Sequence, residues 1–380
     1  MHPSLCPESQ GSLATAGTRE GPEHPGQPAC TEAGVTGRVK TWLGRAVHAL
    51  WFGQGPSVSA LALALSPLGK LTRRQARIAR QAIEQLPRPD PPVLVIGNLL
   101  AGGTGKTPLV IAVAQALQTR GLRLGLLCSG YGAARADARL VRPTDDPVEH
   151  GDEAVLLAME TGAPVAAGRR RDQALACLLA GYPDLDLVIA DDGLQHRWLP
   201  RSLELVVFDR RGLGNGRLLP AGPLREPLPA GGQLAAIALN DAETPTGIHP
   251  TRCFRFTVEP TGFARADGSE QISTRQFRDR VAGDHLTALA GIGEPARFFE
   301  SLATCGIHPQ TRLSLPDHAP IGRATLGAIQ SPHIVMTAKD AVKCRGFADQ
   351  RCWVLRVAAR VDPALIDWLL RDLLRGNKTA

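Results

Sequence analysis

Aromatic residues make up only 4% of this 380-residue chain. No basic and aromatic residues interleave into the kind of stripe that stacks unpaired bases, so a nucleic-acid platform is not expected. The eight cysteines (Cys6, Cys30, Cys128, Cys177, Cys253, Cys305, Cys344 and Cys352) are scattered. No pair has Cys-x-x-Cys spacing, which excludes the common zinc and dithiol motifs and reads as reduced thiols in a cytosolic protein. The longest apolar piece, residues 58–68, is shorter than the ~20 residues a membrane-spanning helix needs. Near Met1 no positive segment leads into an apolar core, so a secretory signal is not expected. No internal repeat is visible.

What remains is a chain with 43% hydrophobic residues, long enough for two domains and a sizeable core. Lys and Arg exceed Asp and Glu by 43 to 36, and the pI near 9.2 favours anionic partners without choosing among them. Residues 1–36 are rich in Gly, Pro, Ser, Thr and Glu and lack a sustained apolar run, the composition of a disordered extension. Residues 37–82 read as a helical segment. Trp42, Leu43, Val47, Leu50, Trp51 and Phe52 recur at roughly helical spacing with Arg38, Lys40, Arg45 and His48 between them. That stripe suits a helix lying in a bilayer interface and equally a helix packed on a core.

From residue 93 apolar runs alternate with helical segments: "VLVIG", "RLGLLCSG", "APVAAG", "LDLVIADDG" and "ELVVFD" as strands, with "DEAVLLAMETG" and "RDQALACLLAG" among the helices. The pattern predicts an α/β domain over 83–239, a mostly parallel sheet with helices on both faces. Past residue 230 the signal weakens, and 240–283 reads as a linker with one β segment, "CFRFTVEPTGF". A smaller C-terminal α/β domain is expected over 284–380, built on "LTALAGI", "RLSLP", "HIVMTA" and "CWVLRVAARV".

"NLLAGGTGKTPLV" follows the first strand and opens a helix. Backbone N–H groups of Gly102, Gly103, Thr104 and Gly105, aimed by a glycine-rich turn at a helix N-terminus, make a preorganised phosphate site. Lys106 would reach the outer phosphates and Thr107 would ligate Mg²⁺. The full P-loop pattern wants a first glycine at position 100, which is Leu100. The loop lysine of the partitioning and nitrogenase-iron-protein group is also missing, since its position holds Ala101. A P-loop needs a carboxylate at a neighbouring strand end, and "LDLVIADDG" supplies Asp191 and Asp192 at the carboxyl edge of the sheet. ATP or GTP with Mg²⁺ follows, but the fate of the γ-phosphate does not: a switch NTPase gives it to water, a kinase to a bound hydroxyl.

Further segments bear on that choice. "VIGNLLAGGTGKTPLV", "GDEAVLLA", "VIADDGLQHRWLPRSLELVVFD", "GNGRLLPAGPLRE", "ALAGIGEPARFF", "LPDH" and "MTAKDAVK", in that order, resemble the motifs of the tetraacyldisaccharide 4'-kinase family, from about Gly37 to the C-terminal region. The resemblance implies a P-loop kinase of lipid A biosynthesis. It would transfer the γ-phosphate of ATP to the 4'-hydroxyl of a tetraacylated glucosamine disaccharide 1-phosphate. It would work peripherally at the cytoplasmic face of a Gram-negative inner membrane, with no nucleic acid and no obligate protein partner. It also implies that 37–82 is a membrane-associated helical segment, to which Arg73, Arg74, Arg77 and Arg80 add attraction for anionic headgroups.

Residue by residue, the matching motifs place Lys106 and Thr107 on phosphate and Mg²⁺, and Asp191 and Asp192 in the metal pair, with Glu226 as a further acidic residue of the site and of the metal set. Asp152 matches a catalytic base and His318 the histidine paired with it; Arg225 is a candidate substrate contact. Without the resemblance, Asp152 and Glu153 are simply first-turn acids on a helix dipole. The run Arg169, Arg170, Arg171 is open between substrate phosphate and solvent. Two positions depart from the family pattern: Ser129 where an arginine is common, and Ala338 where a glutamate is common.

Overall fold

The computed structural model describes residue 44 and residues 46–53 and 55–374. The extension expected over 1–36 and the beginning of the 37–82 segment lie outside the described residues.

Thirteen strands form one sheet: β1 (Val93–Gly97), β2 (Leu124–Cys128), β3 (Arg139–Val141), β4 (Val165–Ala167), β5 (Leu187–Asp191), β6 (Leu203–Asp209), β7 (Gln233–Asn240), β8 (His249–Arg265), β9 (Gln271–Ile272), β10 (Leu286–Ala290), β11 (Thr311–Ser314), β12 (His333–Thr337) and β13 (Cys352–Val361). Their order is β11-β10-β12-β13-β8-β7-β6-β1-β5-β2-β4-β3, with β9 on β8. The expected α/β architecture is present. In the first half β7, β6, β1, β5, β2 and β4 run parallel with β8, and β3 closes the edge antiparallel. In the second half β11, β10, β12 and β13 are parallel to one another.

The side-chain period of two explains how these strands are covered on both faces. Leu94, Ile96, Leu126, Ile189 and Leu205 pack into one buried cluster, while Val93, Val95, Leu127, Val188 and Val206 pack into the other. The same alternation divides β12, with Val335 on one side of the sheet and Ile334 and Met336 on the other.

The two halves meet through β8 and β13, which pair antiparallel from Phe256 to Arg265. The 240–283 stretch read as linker therefore contains β8, a 17-residue strand. β7 ends opposite Phe256, and β12 ends opposite Leu355, itself the partner of Phe263. The carboxyl edges of both half-sheets thus point at the middle of the β8–β13 ribbon. Since ligands of open α/β sheets bind at carboxyl edges, two such edges share one cleft.

The helices Pro56–Leu65 and Gly69–Glu84 lean on the first half. Thr72 donates to the Leu219 carbonyl at 2.8 Å and Arg217 to Ser66 Oγ at 2.6 Å. Arg80, expected to meet lipid, instead pairs with Glu204 of β6 at 2.7 Å. Glu204 also holds Arg201 at 2.9 Å, and Arg201 donates to the carbonyls of Leu194, His196 and Leu199. Among the described residues no helix is long and apolar enough to cross a membrane.

Burial would raise the Glu204 carboxyl, but Arg80 and Arg201 outweigh it and hold it below the ordinary value of about 4.5. A depressed folded-state value means that this ionic contribution is present above about 4.5 and fades as pH falls through the lower folded value. Glu204→Gln is therefore expected to lower Tm at pH 7, and the gap to the unsubstituted protein should narrow on acidification below about 4.5. A gap that stays constant across pH 3.5–7 in thermal melts, roughly the range over which carboxylates titrate, would mean that the pair contributes nothing ionic.

Candidate active site

The cleft has a volume of about 1410 Å³, and its lining includes Gly102–Thr107, Asp191, Asp192, Glu153, His318 and Lys339. One wall is the loop after β1. Gly105 takes a left-handed φ of 87° at the N-cap of the helix Lys106–Gln118, and Gly102 a φ of 96°. Three side chains hold the loop open. Asn98 Nδ2 donates to the Gly102 carbonyl at 3.1 Å, Asn240 Nδ2 to the Thr104 carbonyl at 2.9 Å, and Arg211 to the Gly103 carbonyl. With these carbonyls bound, the loop N–H groups are left for an anion.

Lys106 is buried and donates to Asn98 Oδ1 at 3.0 Å, with Asp192 Oδ1 at 3.6 Å. Thr107 Oγ1 donates to Asp191 Oδ2 at 3.1 Å. The expected phosphate and metal residues of the two motifs are thus brought together. Asp191 Oδ1 is buried and has no hydrogen-bond partner. Burial and then Glu153 push this carboxyl up to about 7, with Lys106 opposing. Asp192 goes the other way: burial would raise it, but Lys106 and Arg225 hold it below the usual carboxylate range.

Arg225 lines the cleft, and its Nη1 pairs with Asp192 at 2.9 Å. Glu226 stands one step back: Gln195 Nε2 donates to Glu226 Oε1 at 2.7 Å and to the Asn98 carbonyl at 3.2 Å. Of the arginine run left open above, Arg170 pairs with Asp172 and Arg171 is buried, donating to the carbonyls of Gly168 and Asp191. Arg171 therefore braces the turn that carries the aspartates and does not face a substrate. Arg169 is exposed.

On the same half-sheet as the loop stands Asp152, the first residue of the helix Asp152–Thr161, and the second half meets it there. His318 Nδ1 lies 3.1 Å from Asp152 Oδ1, and Lys343 Nζ lies 3.6 Å from Asp152 Oδ2. Burial would raise the Asp152 carboxyl, but the His318 contact and the charges of Lys339 and Lys343 bring it below its ordinary value. His318 sits at a φ of 59°, uncommon for a non-glycine residue, with the Tyr131 ring edge-on at 4.8 Å. A Cβ on Gly132 would come within 3.3 Å of His318 Nδ1, so that glycine leaves room for the ring. Of the two departures, Ser129 Oγ accepts from the Tyr131 N–H at 3.0 Å, and Ala338 lines the cleft beside Lys339.

The walls are tied together. Arg211 reaches Asp209 at 2.8 Å and, across the cleft, Glu294 at 3.2 Å, and Arg297 also binds Asp209. A Cβ on Gly293 would lie 3.5 Å from the Gly103 nitrogen and 3.3 Å from Asp317 Oδ2, so loop and base wall approach through a missing side chain. Asn98, Asn240, Gln195, Arg211 and Lys339 carry much of this geometry and had no role in the sequence reading. Asn98 and Lys339 stand inside quoted motifs, whereas Arg211 and Asn240 become legible only from their contacts.

A glycine loop with buried lysine, a threonine–aspartate pair and a carboxylate–histidine pair joining the two half-sheets define a P-loop phosphotransferase. The chain belongs to the family of tetraacyldisaccharide-1-P 4'-kinases, whose model matches residues 61–374. Among its relatives, a tetraacyldisaccharide 4'-kinase of Bordetella petrii is 43% identical over 326 residues, covering 81% of this chain and 91% of that protein. One of Dechloromonas aromatica is 41% identical over 339 residues, covering 89% and 100%. A crystal structure of LpxK from Aquifex aeolicus in complex with ATP matches with a TM-score of 0.67 at 25% identity, over 82% of this chain and 99% of that one.

Gly105 offers a local test. Its φ is left-handed, and a Cβ there would stand 2.4 Å from Asn240 Nδ2, the donor that holds Thr104. Gly105→Ala is expected to weaken ATP binding by at least about tenfold, since a left-handed alanine costs roughly 1–2 kcal/mol before the clash is relieved. Equilibrium titration with a fluorescent ATP analogue reads this. Unchanged affinity would mean that Asn240 does not set the loop.

Proposed function

We propose that this chain transfers the γ-phosphate of ATP to the 4'-hydroxyl of a tetraacyldisaccharide 1-phosphate, a step of lipid A biosynthesis. Family membership gives the reaction, and one observation carries the reading at the level of the site. The phosphate loop and Asp152 both stand at the carboxyl edge of the first half-sheet, and His318, from the second half, reaches Asp152 at 3.1 Å, so the two halves together complete the site. A switch NTPase needs only the loop and its metal carboxylate.

Loop amides and Lys106 would hold the β- and γ-phosphates. Mg²⁺ fits beside Thr107 and Asp191: the unpartnered Asp191 oxygen and its raised carboxyl are what a buried cation would satisfy. When bound there, the ion would neutralise charge on the phosphate oxygens. Asp192, held by Lys106 and Arg225, supplies a second carboxylate nearby. Asp152 has its own unpartnered buried oxygen, Oδ2, which would accept the acceptor hydroxyl's proton while His318 fixes Oδ1. A loose phosphoryl-transfer transition state asks for alignment of that hydroxyl more than for a strong base, which suits a carboxyl held low. Arg211, Asp209, Glu294 and Arg297 would keep the halves together and exclude water from the γ-phosphate.

Membrane contact is the further part of the reading. Leu61 and Leu63 on the helix Pro56–Leu65, Leu71 and Ile78 on the helix Gly69–Glu84, and Leu68 in the turn between them are each between 43% and 63% exposed. Arg73, Arg74 and Arg77 beside them are exposed too. The acyl chains of the substrate stay in a bilayer, so a surface that inserts leucines there would bring the cleft to the sugar headgroup. The cytoplasmic face of the inner membrane is the side that holds ATP.

Two experiments test this. With γ-labelled ATP, Mg²⁺ and tetraacyldisaccharide 1-phosphate in micelles, label is expected in the lipid, falling by at least about a hundredfold in Lys106→Ala and in Asp152→Ala. Label released only as inorganic phosphate would favour the NTPase instead. In flotation with anionic vesicles, Leu63→Asp with Leu71→Asp should cut the bound fraction at least about tenfold, at roughly 2 kcal/mol per leucine removed from lipid. Undiminished flotation would place membrane contact elsewhere.

A further inference from the structure

We propose that Lys339 is a positioning residue that reserves His318 Nε2 as an acceptor and so keeps His318 a neutral Nδ1–H donor to Asp152. The purpose rests on the phosphotransfer reading above, but the hydrogen-bond geometry stands without it. Lys339 begins no motif of its own. It is the second residue of the short helix Ala338–Lys343, which the second half-sheet presents to the cleft.

An ammonium group has three protons and no lone pair, so it only donates. Lys339 Nζ has three acceptors within reach: Glu153 Oε1 at 3.0 Å, Asp317 Oδ1 at 3.1 Å and His318 Nε2 at 3.1 Å. Three donors meet three acceptors. Nε2 must then carry a lone pair, and the ring proton belongs on Nδ1, where it donates to Asp152 Oδ1.

Without Lys339 this assignment does not hold. Asp152 faces one ring nitrogen, and Asp317 Oδ1 lies 3.7 Å from the other. A histidine between two carboxylates is stabilised as the imidazolium, with a proton on each nitrogen. The other groups here leave that balance in place: Glu153 reaches the ring only through Lys339, Tyr131 packs edge-on, and Lys343 Nζ stays 3.6 Å from the far oxygen of Asp152 without a hydrogen bond to it. Lys339 thus carries the positive charge that the ring would otherwise acquire, and carries it across the ring from Asp152. A neutral donor leaves Asp152 a better acceptor than an imidazolium in contact with it would. Four residues along the same helix, Lys343 donates to Asp340 and the Gly291 carbonyl and adds only its nearby charge to Asp152.

Nitrogen-15 spectra of the histidine-labelled full chain test this, with His318 assigned by its loss in His318→Gln. At pH 7 the unsubstituted protein should show a protonated Nδ1 and an unprotonated Nε2, and Lys339→Met should show both nitrogens protonated. The same variant should lose kcat at least about tenfold with the KM for ATP unchanged. A protonated Nε2 in the unsubstituted protein would overturn the inference, whether or not the variant folds; so would Lys339→Met with an unchanged ring. Because the spectra need no substrate, failure of the kinase reading would appear separately, as lipid left unlabelled by a protein whose His318 is in the expected state.

Discussion

The antiparallel pairing of β8 with β13 is the constraint on which the rest of the site depends. Each half-sheet is parallel, and a parallel sheet has one carboxyl edge where loops collect and ligands bind. Had the second half continued parallel to β8, its loops would lie beside those of the first, all facing one way. Reversing direction at one strand pair turns the second edge back toward the first. Beyond Phe256 and before Phe263 the ribbon has left β7 behind and not yet met β12, and that bare stretch is the floor of the cleft. Residues 166 positions apart, Asp152 and His318, come within hydrogen-bond distance there.

Charge placement within the cleft follows from burial. A carboxylate removed from water needs a cation or several donors. Asp192 has Lys106 and Arg225, Asp209 has Arg211 and Arg297, and Asp152 has His318 with Lys343 near. Two carboxylate oxygens depart from this rule, one on Asp191 and one on Asp152. Unsatisfied buried acceptors cost stability unless something arrives to meet them. A cation at the first and a hydroxyl at the second would do so, in keeping with a site finished by its ligands.

The strands, the phosphate loop and the aspartate pair were legible because each is local. Four buried residues running into Asp191 read as a strand whichever sheet they join, and a glycine turn before a helix implies an anion site by itself. Less was readable where local preference is weak. "QLAAIALN" is alanine-rich and low in β-propensity, yet it is β7, because strands on either side bury it. β8 was seen only in part, and its neighbours supply the length. Arg80 and Arg171 read as basic surface, but one is bound by Glu204 and the other by two carbonyls in the core.

By itself, then, the sequence determined the element types, the nucleotide loop and, through ordered motifs, the family. Those depend on contacts a few residues apart and on the order of segments along the chain. Only the tertiary structure decided which charges are free and which are spent. It left the loop amides facing the cleft, set Lys106 and Arg225 beside Asp192, buried Arg171 behind the aspartates and set Lys339 on His318. The physical reason is that a side chain's chemistry depends on its partners, and here the partners lie tens to hundreds of residues away.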